Sequence, residues 1–471
     1  MTTSETPIAG KQRTLMFVTL MLGMVASAMT SSAVNNALPS IMSDFSVNAA
    51  TAQWLVSAYN LVSGIMIPAT AFLIKRFKNK TLYLASIILF AGGSLISGVS
   101  FNFVMLLVGR VLQACGYGIM LSFIQVLLLG MYPPERHGSI MGIYGLAGMV
   151  APVIAPTLTG FIIDSMGWHM VFILFAVIAA IDIVLAFIFV RNITDTVKEQ
   201  FDTISMILAA IGFVTIIMGL SNMSSYPFLS VNCGLLILIG AIALVAFTFK
   251  QLKSKKILLN LRVFKIPTFT ISVILNALVY FILMGNSVLL PLFIQDLRGF
   301  SAVDYALITL PGSIISAVTS LAAGKLFDKL GAKIPLSFGF ALMIIGSAMR
   351  FGSNSATSMF IIGFSYALTN CGSACIMMPA TTFGLSRLSN DERVHGSAIL
   401  STLRNIFGAM GSALCVVIMS LVASGMASSG SAEAQMSGMS FTYIILCAMS
   451  VVGIIVAIFS VKGKKEARLS K

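Results

Sequence analysis

Gly324-Lys325-Leu326-Phe327-Asp328-Lys329-Leu330-Gly331-Ala332-Lys333 has an echo in Ala71-Phe72-Leu73-Ile74-Lys75-Arg76-Phe77-Lys78-Asn79-Lys80, 253 residues earlier. Two further pairs follow in the same order. Ala114-Cys115-Gly116 pairs with Asn370-Cys371-Gly372 at an offset of 256, and Glu135, Arg136 and His137-Gly138-Ser139 pair with Glu392, Arg393 and His395-Gly396-Ser397 near 258. One such match is weak, but three in order at a nearly constant offset mark an internal duplication. That offset exceeds six membrane helices with their loops by roughly two helices. The pattern therefore predicts six helices, an inserted pair near 203–221 and 229–249, and six more. Charged linkers from Arg191 to Asp202 and from Lys250 to Lys265 border the insertion. The expected units are 1–200, a six-helix bundle; 201–255, the inserted pair and linker; and 256–471, the second six-helix bundle.

Composition supports a bilayer setting for these helices. Of 471 residues, 58% are hydrophobic and 9% charged, against about 25% charged in a soluble domain. A spanning helix needs roughly 20 apolar residues, and apolar runs separated by polar breaks give fourteen candidates. They lie near 14–36, 52–74, 81–100, 102–130, 138–163, 169–190, 203–221, 229–249, 268–294, 304–327, 334–351, 356–385, 396–424 and 439–461. The expected fold is an all-α polytopic membrane protein with fourteen transmembrane helices.

The net charge of +14 does not point to nucleic acid, whose binders gather basic residues on one surface. Here the basic residues sit in short blocks between apolar runs. With the N-terminus inside, all but four of the 29 Lys and Arg fall on cytoplasmic segments, as the positive-inside rule requires. Arg298 and Arg350 fall outside, and Arg110 and Arg404 fall within spans. A wrong helix count would scramble this alternation, so both termini are expected in the cytoplasm. Ala26-Ser27-Ala28 imitates a signal-peptidase site, but the apolar run continues through Val34 and the alternation needs this helix retained. All six cysteines lie in apolar stretches, where they behave as small hydrophobes, so no disulfide framework is expected.

Charges inside spans ask for an explanation, because each costs a few kcal/mol there. Arg110 lies about eight residues into its span, roughly 12 Å of rise, too deep to snorkel. Arg404 lies about as deep in span 13. Asp182 is the acid clearly within a span, and it serves either as a proton carrier or counter-ion or as a helix–helix hydrogen bond. Two arginines against one acid predict a neutral to electropositive interior that favours neutral or anionic amphipathic molecules over organic cations.

Gly324 through Lys333, with Asp328, Lys329 and Gly331, closely resembles the cytoplasmic loop signature of the major facilitator superfamily. More narrowly, the chain resembles the fourteen-helix drug:proton antiporters, in their lincomycin-resistance-like branch. The resemblance implies that the loop acts as a cytoplasmic latch; the first copy departs from the signature, with Lys75 in place of the Asp, beside Arg76, and Lys78 in place of a Gly. Gly109-Arg110 with Gln113, Gly116 and Gly118 is similar to the family's arginine motif. Gly145, Gly148, Pro152, Ala155-Pro156 and Gly160 are similar to its antiporter motif, whose small residues let helices approach closely and whose prolines bend the helix. Gln53-Trp54 with Ser57 and Tyr59, Leu261 to Phe264 and Trp168 to Phe172 add to the likeness. In span 1 the family's membrane-embedded Asp is replaced by Thr30, five residues before Asn35, and Thr neither titrates near neutrality nor balances a cation.

The resemblance implies a proton-coupled secondary transporter in the bacterial plasma membrane that exports drug-like amphipaths and confers antibiotic resistance. The alternative is proton-linked uptake of organic anions such as bile-acid-like amphipaths. Expected proton-coupling and substrate residues are Arg110, Asp182, Gln113, Asn35, Thr30, Trp54, Tyr59 and Arg404. No phosphate loop of the Gly-x-x-x-x-Gly-Lys-Ser/Thr type occurs and no His-Glu-x-x-His, so neither an enzyme nor a metal or other cofactor is expected. The expected partners are substrate, protons and lipid, with no nucleic acid, around a monomer.

Overall fold

The computed structural model describes residues 10–193, 202–223, 230–253, 258–354, 356–426 and 432–461. The chain ends and the expected unit boundaries at 200/201 and 255/256 lie outside the described residues. Fourteen long helices run through the described chain: α1 (Gly10–Phe45), α2 (Trp54–Arg76), α3 (Asn79–Gly98), α4 (Phe103–Met131), α5 (His137–Met166), α6 (His169–Phe189), α7 (Thr203–Asn222), α8 (Leu236–Lys253), α9 (Pro267–Pro291), α10 (Ala302–Leu330), α11 (Lys333–Phe351), α12 (Met359–Ser386), α13 (Asn390–Ser424) and α14 (Ala432–Ser460). Thirteen are long and apolar enough to cross a membrane over their described residues, and the other, α5, is 30 residues long. Each predicted span corresponds to one of these helices.

Local chemistry sets the ends. Asn102 caps α4 by accepting from the Met105 amide at 2.8 Å. Ser301 with Asp304, and Ser389 with Glu392, form reciprocal capping boxes at the starts of α10 and α13, each satisfying orphan amides of a helix start. Gly331, at φ 84°, closes α10 in a conformation that a side chain would strain. The largest departure from the sequence reading is α1, which runs on past Pro39 to Phe45 rather than stopping near 36. The extension is anchored from α6: Trp168 Nε1 donates to Asp44 at 2.6 Å, and its ring meets Phe45 edge-on.

The duplication is visible in the packing. In the first half α1 packs on α4, α5 and α6, α4 on α2 and α3, and α3 on α6. Eight helices later, α9 packs on α12, α13 and α14, α12 on α10 and α11, and α11 on α14. The halves meet chiefly along two seams, α5 against α10 and α2 against α13. The inserted pair lies outside the second seam: α7 touches both α2 and α13, and α8 leans on α7. At its cytoplasmic end Asp202 caps α7 and pairs with Lys250 at 2.7 Å. Gln251 donates to Ser205 and accepts from the Leu258 and Leu259 amides, which ties the connector back onto the pair.

Close helix approach falls at the Gly145 end of the antiporter-like motif and not at Gly148 or Gly160. A side chain at Gly160 would meet open space, and one at Gly148 only Met24 at 3.4 Å. The tight contacts run from Gly138 to Gly145 on α5. There a Cβ on Gly138 would collide with the Gly324 carbonyl, one on Gly142 with the Ser320 carbonyl, and one on Gly145 with Met378 and Ser320. The side chains of Pro152 and Pro156 are outside the described residues.

Candidate functional site

Arg110 is fully buried on α4, and its guanidinium draws three helices together. Nε donates to the Leu55 carbonyl of α2 at 3.2 Å, and one terminal nitrogen donates to Gln113 Oε1 at 2.9 Å and to the Thr30 carbonyl of α1 at 3.5 Å. The face of the guanidinium lies 4.2 Å from the centre of the Tyr59 ring. The other terminal nitrogen is buried with no hydrogen-bond partner among the described residues. Gln113 is held in turn by donating to Ser94 at 2.8 Å, and Tyr59 by donating to the Ser27 carbonyl at 3.0 Å. Thr30 therefore stands beside Arg110, and its own hydroxyl is spent on the Ala26 carbonyl. A carboxylate at this position would neutralise the guanidinium; the threonine leaves the cation to neutral dipoles.

The Tyr59 ring stacks on Tyr117 of α4 at 5.7 Å. Tyr117 and Tyr144 lie within electrostatic range of Arg404 and Tyr280, which come from the other half. Arg404 is 5% exposed and sits over the Tyr280 ring of α9 at 5.4 Å. Its described hydrogen bonds stay within α13, to the Leu400 carbonyl and the Ser401 hydroxyl. Arg110, Thr30, Gln113 and Tyr59 thus form one cluster with Tyr117 stacked at its edge, and Arg404 lies within electrostatic range of Tyr117. Asn60 and Asn405 are exposed near this level on α2 and α13. Asn35 and Trp54 are exposed toward the outer ends of α1 and α2 and form no described hydrogen bond with Arg110.

Asp182 does not join this cluster. It is fully buried inside the first half, where Tyr83 Oη of α3 lies 2.7 Å from its Oδ2 and 3.1 Å from the Thr19 carbonyl of α1. One phenolic proton serves one acceptor. Both contacts are satisfied together when Asp182 carries a proton and donates it to Tyr83. Its other oxygen has no partner among the described residues, as suits the carbonyl of a neutral acid. Gly23 on α1 makes the pocket possible, since a Cβ there would strike both Tyr83 and Asp182.

At the cytoplasmic ends, two side-chain contacts join the halves. Asp328, at the end of α10, accepts from the Gly138 and Ser139 amides at 2.7 Å and from the Ser139 hydroxyl, all at the start of α5. In the first loop copy Lys75 occupies the corresponding place, and its Nζ pairs with Asp391 in the first turn of α13 at 3.2 Å. Between them, Ser320 donates to the Gly142 carbonyl and Ser397 to the Ser122 carbonyl. Arg76 and Lys329 are exposed, Lys333 is half-buried in the first turn of α11, and Gly324 presses on Gly138.

The sequence missed one buried cation. Arg350 was placed outside the membrane, yet it is 2% exposed and bonds to Asn286, Thr369 and the Ser365 carbonyl, with Tyr443 beneath it at 5.1 Å. Its position in the last turn of a span reads as a water-facing charge, and Asn286 and Thr369, on other helices, give no local sign of the network.

A profile described as Major Facilitator Superfamily matches residues 20–412. The chain is 34% identical to an uncharacterized MFS-type transporter, YcnB of Bacillus subtilis, over 95% of each chain. It is 31% identical to the lincomycin resistance protein LmrB of the same organism, over 95% of this chain and 96% of that one. With the multidrug export protein EmrB of Escherichia coli it shares 27% identity over 87% of this chain and 81% of EmrB. Among solved structures, the human organic anion transporter MFSD10 superposes with a TM-score of 0.68 at 11% identity, covering 94% of this chain and 99% of that one. The proton:xylose symporter XylE gives 0.66 at 15% identity, over 95% of each chain.

Proposed function

The chain belongs to the major facilitator superfamily, and from that premise we propose that it is a proton-linked exporter of amphipathic small molecules. It is a multi-pass membrane transporter and not an enzyme. The observation that carries the reading is a buried arginine in each half, unpaired among the described residues, Arg110 with Tyr59 in the first and Arg404 with Tyr280 in the second, in two bundles joined at their cytoplasmic ends. A site shared by two bundles is exposed to each compartment in turn as the bundles rock. The relatives LmrB and EmrB, named for lincomycin resistance and multidrug export, support export of drug-like cargo. The working units are 1–200, 201–255 and 256–471, with the first and last moving against each other. In the first half, Asp182 with Tyr83 is the proton-binding group.

Uptake into energised everted vesicles, across cationic, neutral and anionic amphipaths, tests this. Arg110→Ala should abolish flux while the protein still inserts; full flux in that variant removes Arg110 from the mechanism. Asp182→Asn should eliminate the pH dependence of flux, whereas an unchanged pH profile leaves Asp182 a purely structural hydrogen bond. A second reading, proton-linked uptake of organic anions, is favoured by the lack of any described acid paired with Arg110 or Arg404.

A further inference from the structure

Arg404 is a buried cation whose charge nothing described in the protein neutralises. Its hydrogen bonds go to a carbonyl and a hydroxyl of its own helix, and its face rests on Tyr280. Burying a guanidinium without a counter-charge costs several kcal/mol, and a protein keeps such a group where a ligand completes it. The surroundings are built for that ligand. Tyr117 and Tyr280 are half-buried rather than sealed, and among the described residues their hydroxyls form no hydrogen bond. Tyr117 comes from the first half, and Tyr280 and Arg404 from the second. The second unsatisfied donor in the region, the free terminal nitrogen of Arg110, is linked to the first through the Tyr59–Tyr117 stack.

We infer that Arg404, with the Tyr117 and Tyr280 hydroxyls, forms an anion subsite that takes the carboxylate or sulfonate of an aromatic amphipath, whose ring lies against the half-buried ring of Tyr117. This deepens the transport reading and rests on it for the identity of the anion as cargo. A guanidinium supplies parallel donors matched to an oxyanion, and the tyrosine rings supply an apolar wall with a polar tip. Because the groups come from both halves, the anion bridges the surfaces that separate when the opening changes sides.

The test uses two dyes sharing one ring system, 8-anilinonaphthalene-1-sulfonate and its uncharged parent N-phenyl-1-naphthylamine. Binding is measured to full-length protein in phosphatidylcholine nanodiscs, with empty nanodiscs as background. The readout is the ratio of the two affinities. Wild type should favour the sulfonate, and Arg404→Ala should lower the ratio by roughly 10- to 100-fold, the weight of a charged hydrogen bond. Tyr117→Phe and Tyr280→Phe, which keep the rings, should each lower it by about 2- to 10-fold. A purely structural Arg404 would weaken both dyes together and leave the ratio unchanged, which overturns the proposal. Should Arg404→Ala not fold, an unchanged ratio in the two Phe variants overturns it as well. Loss of sulfonate binding once phosphatidylglycerol is added assigns the subsite to a lipid headgroup and overturns the cargo reading. Binding needs no flux, so the outcomes separate. A ratio set by Arg404 without dye transport sinks export and keeps the subsite, and transport with an unaltered ratio does the reverse.

Discussion

Thr30 carries the clearest consequence at the scale of one residue. Its carbonyl accepts from Arg110 at 3.5 Å, which puts its backbone beside the guanidinium. Thr30→Asp would add a negative charge next to the buried guanidinium and offset its local charge. The expected outcome is a several-fold rise in ethidium flux into everted vesicles with a parallel fall for sulfonated dyes. An unchanged ratio of the two fluxes would mean that some other group sets the charge preference. Arg110, Thr30, Gln113, Tyr59 and Arg404 were legible in the sequence because a charge inside an apolar run demands an account, and the motif around it names its neighbours. Tyr117, Tyr144 and Tyr280 were not. A tyrosine in a membrane span is ordinarily packing, and only the tertiary fold brings three of them, from three helices, to one cation. Asp182 was legible as a costly acid, but its partner Tyr83 sits on α3, about 100 residues away, with no local signal.

At the scale of elements, the two cytoplasmic contacts between the halves come from corresponding loop positions and differ in strength. Asp328 sets a full negative charge on the positive end of α5 with charge-assisted bonds to backbone amides. Such bonds contribute about 1.5–3 kcal/mol, and the helix terminus adds about 0.3–1. Lys75 pairs with an Asp391 whose side chain is 74% exposed, and exposed pairs contribute about 0–1 kcal/mol. Asp328 therefore dominates. Asp328→Asn should shift the population toward cytoplasmic opening by about 10-fold, and Lys75→Ala, through loss of the Asp391 pair, by a few-fold. Pulsed dipolar distances between spin labels at Glu135 and Lys329 read this directly, and a larger effect from Lys75→Ala would reverse the ranking. The loop signature singled out Asp328, but the capture of Lys75 by Asp391 was not foreseeable, since it depends on the end of α2 lying beside the start of α13. Helix α5 gives a second contrast. Gly138→Ala puts a methyl against backbone of α10, whereas Gly160→Ala fills open space. The first should lower the detergent melting temperature and widen the same spin-label distance, and the second should leave both near wild type. Equal effects would mean that α5 packs differently from this seam.

For the whole molecule, the fourteen-helix count and the duplication were readable because charge alternation and repeat offset are global properties that local errors barely disturb. What they leave open is which way cargo moves, and bulk electrostatics decides that. If one proton enters for each monoanion expelled, two charges cross the membrane per cycle in the same electrical sense. A potential of 50 mV then contributes about 2.3 kcal/mol to the cycle, because one charge across 100 mV is worth about that much. The steady-state dye gradient should change by roughly 40-fold. Uptake of the same monoanion together with a proton moves no net charge, and its gradient should ignore the potential while following the pH difference. An anion expelled without a proton moves one charge and gives roughly 6- to 7-fold for the same 50 mV. Proteoliposomes clamped with potassium and valinomycin at equal pH on both sides distinguish these slopes with 8-anilinonaphthalene-1-sulfonate. The export reading requires the steep slope in wild type. In Asp182→Asn the slope should fall to the single-charge value, because that variant keeps Arg404 to hold the anion and loses the group proposed to bind the proton. A flat response in wild type would replace export by symport, and a steep response that survives in Asp182→Asn would move the proton site elsewhere.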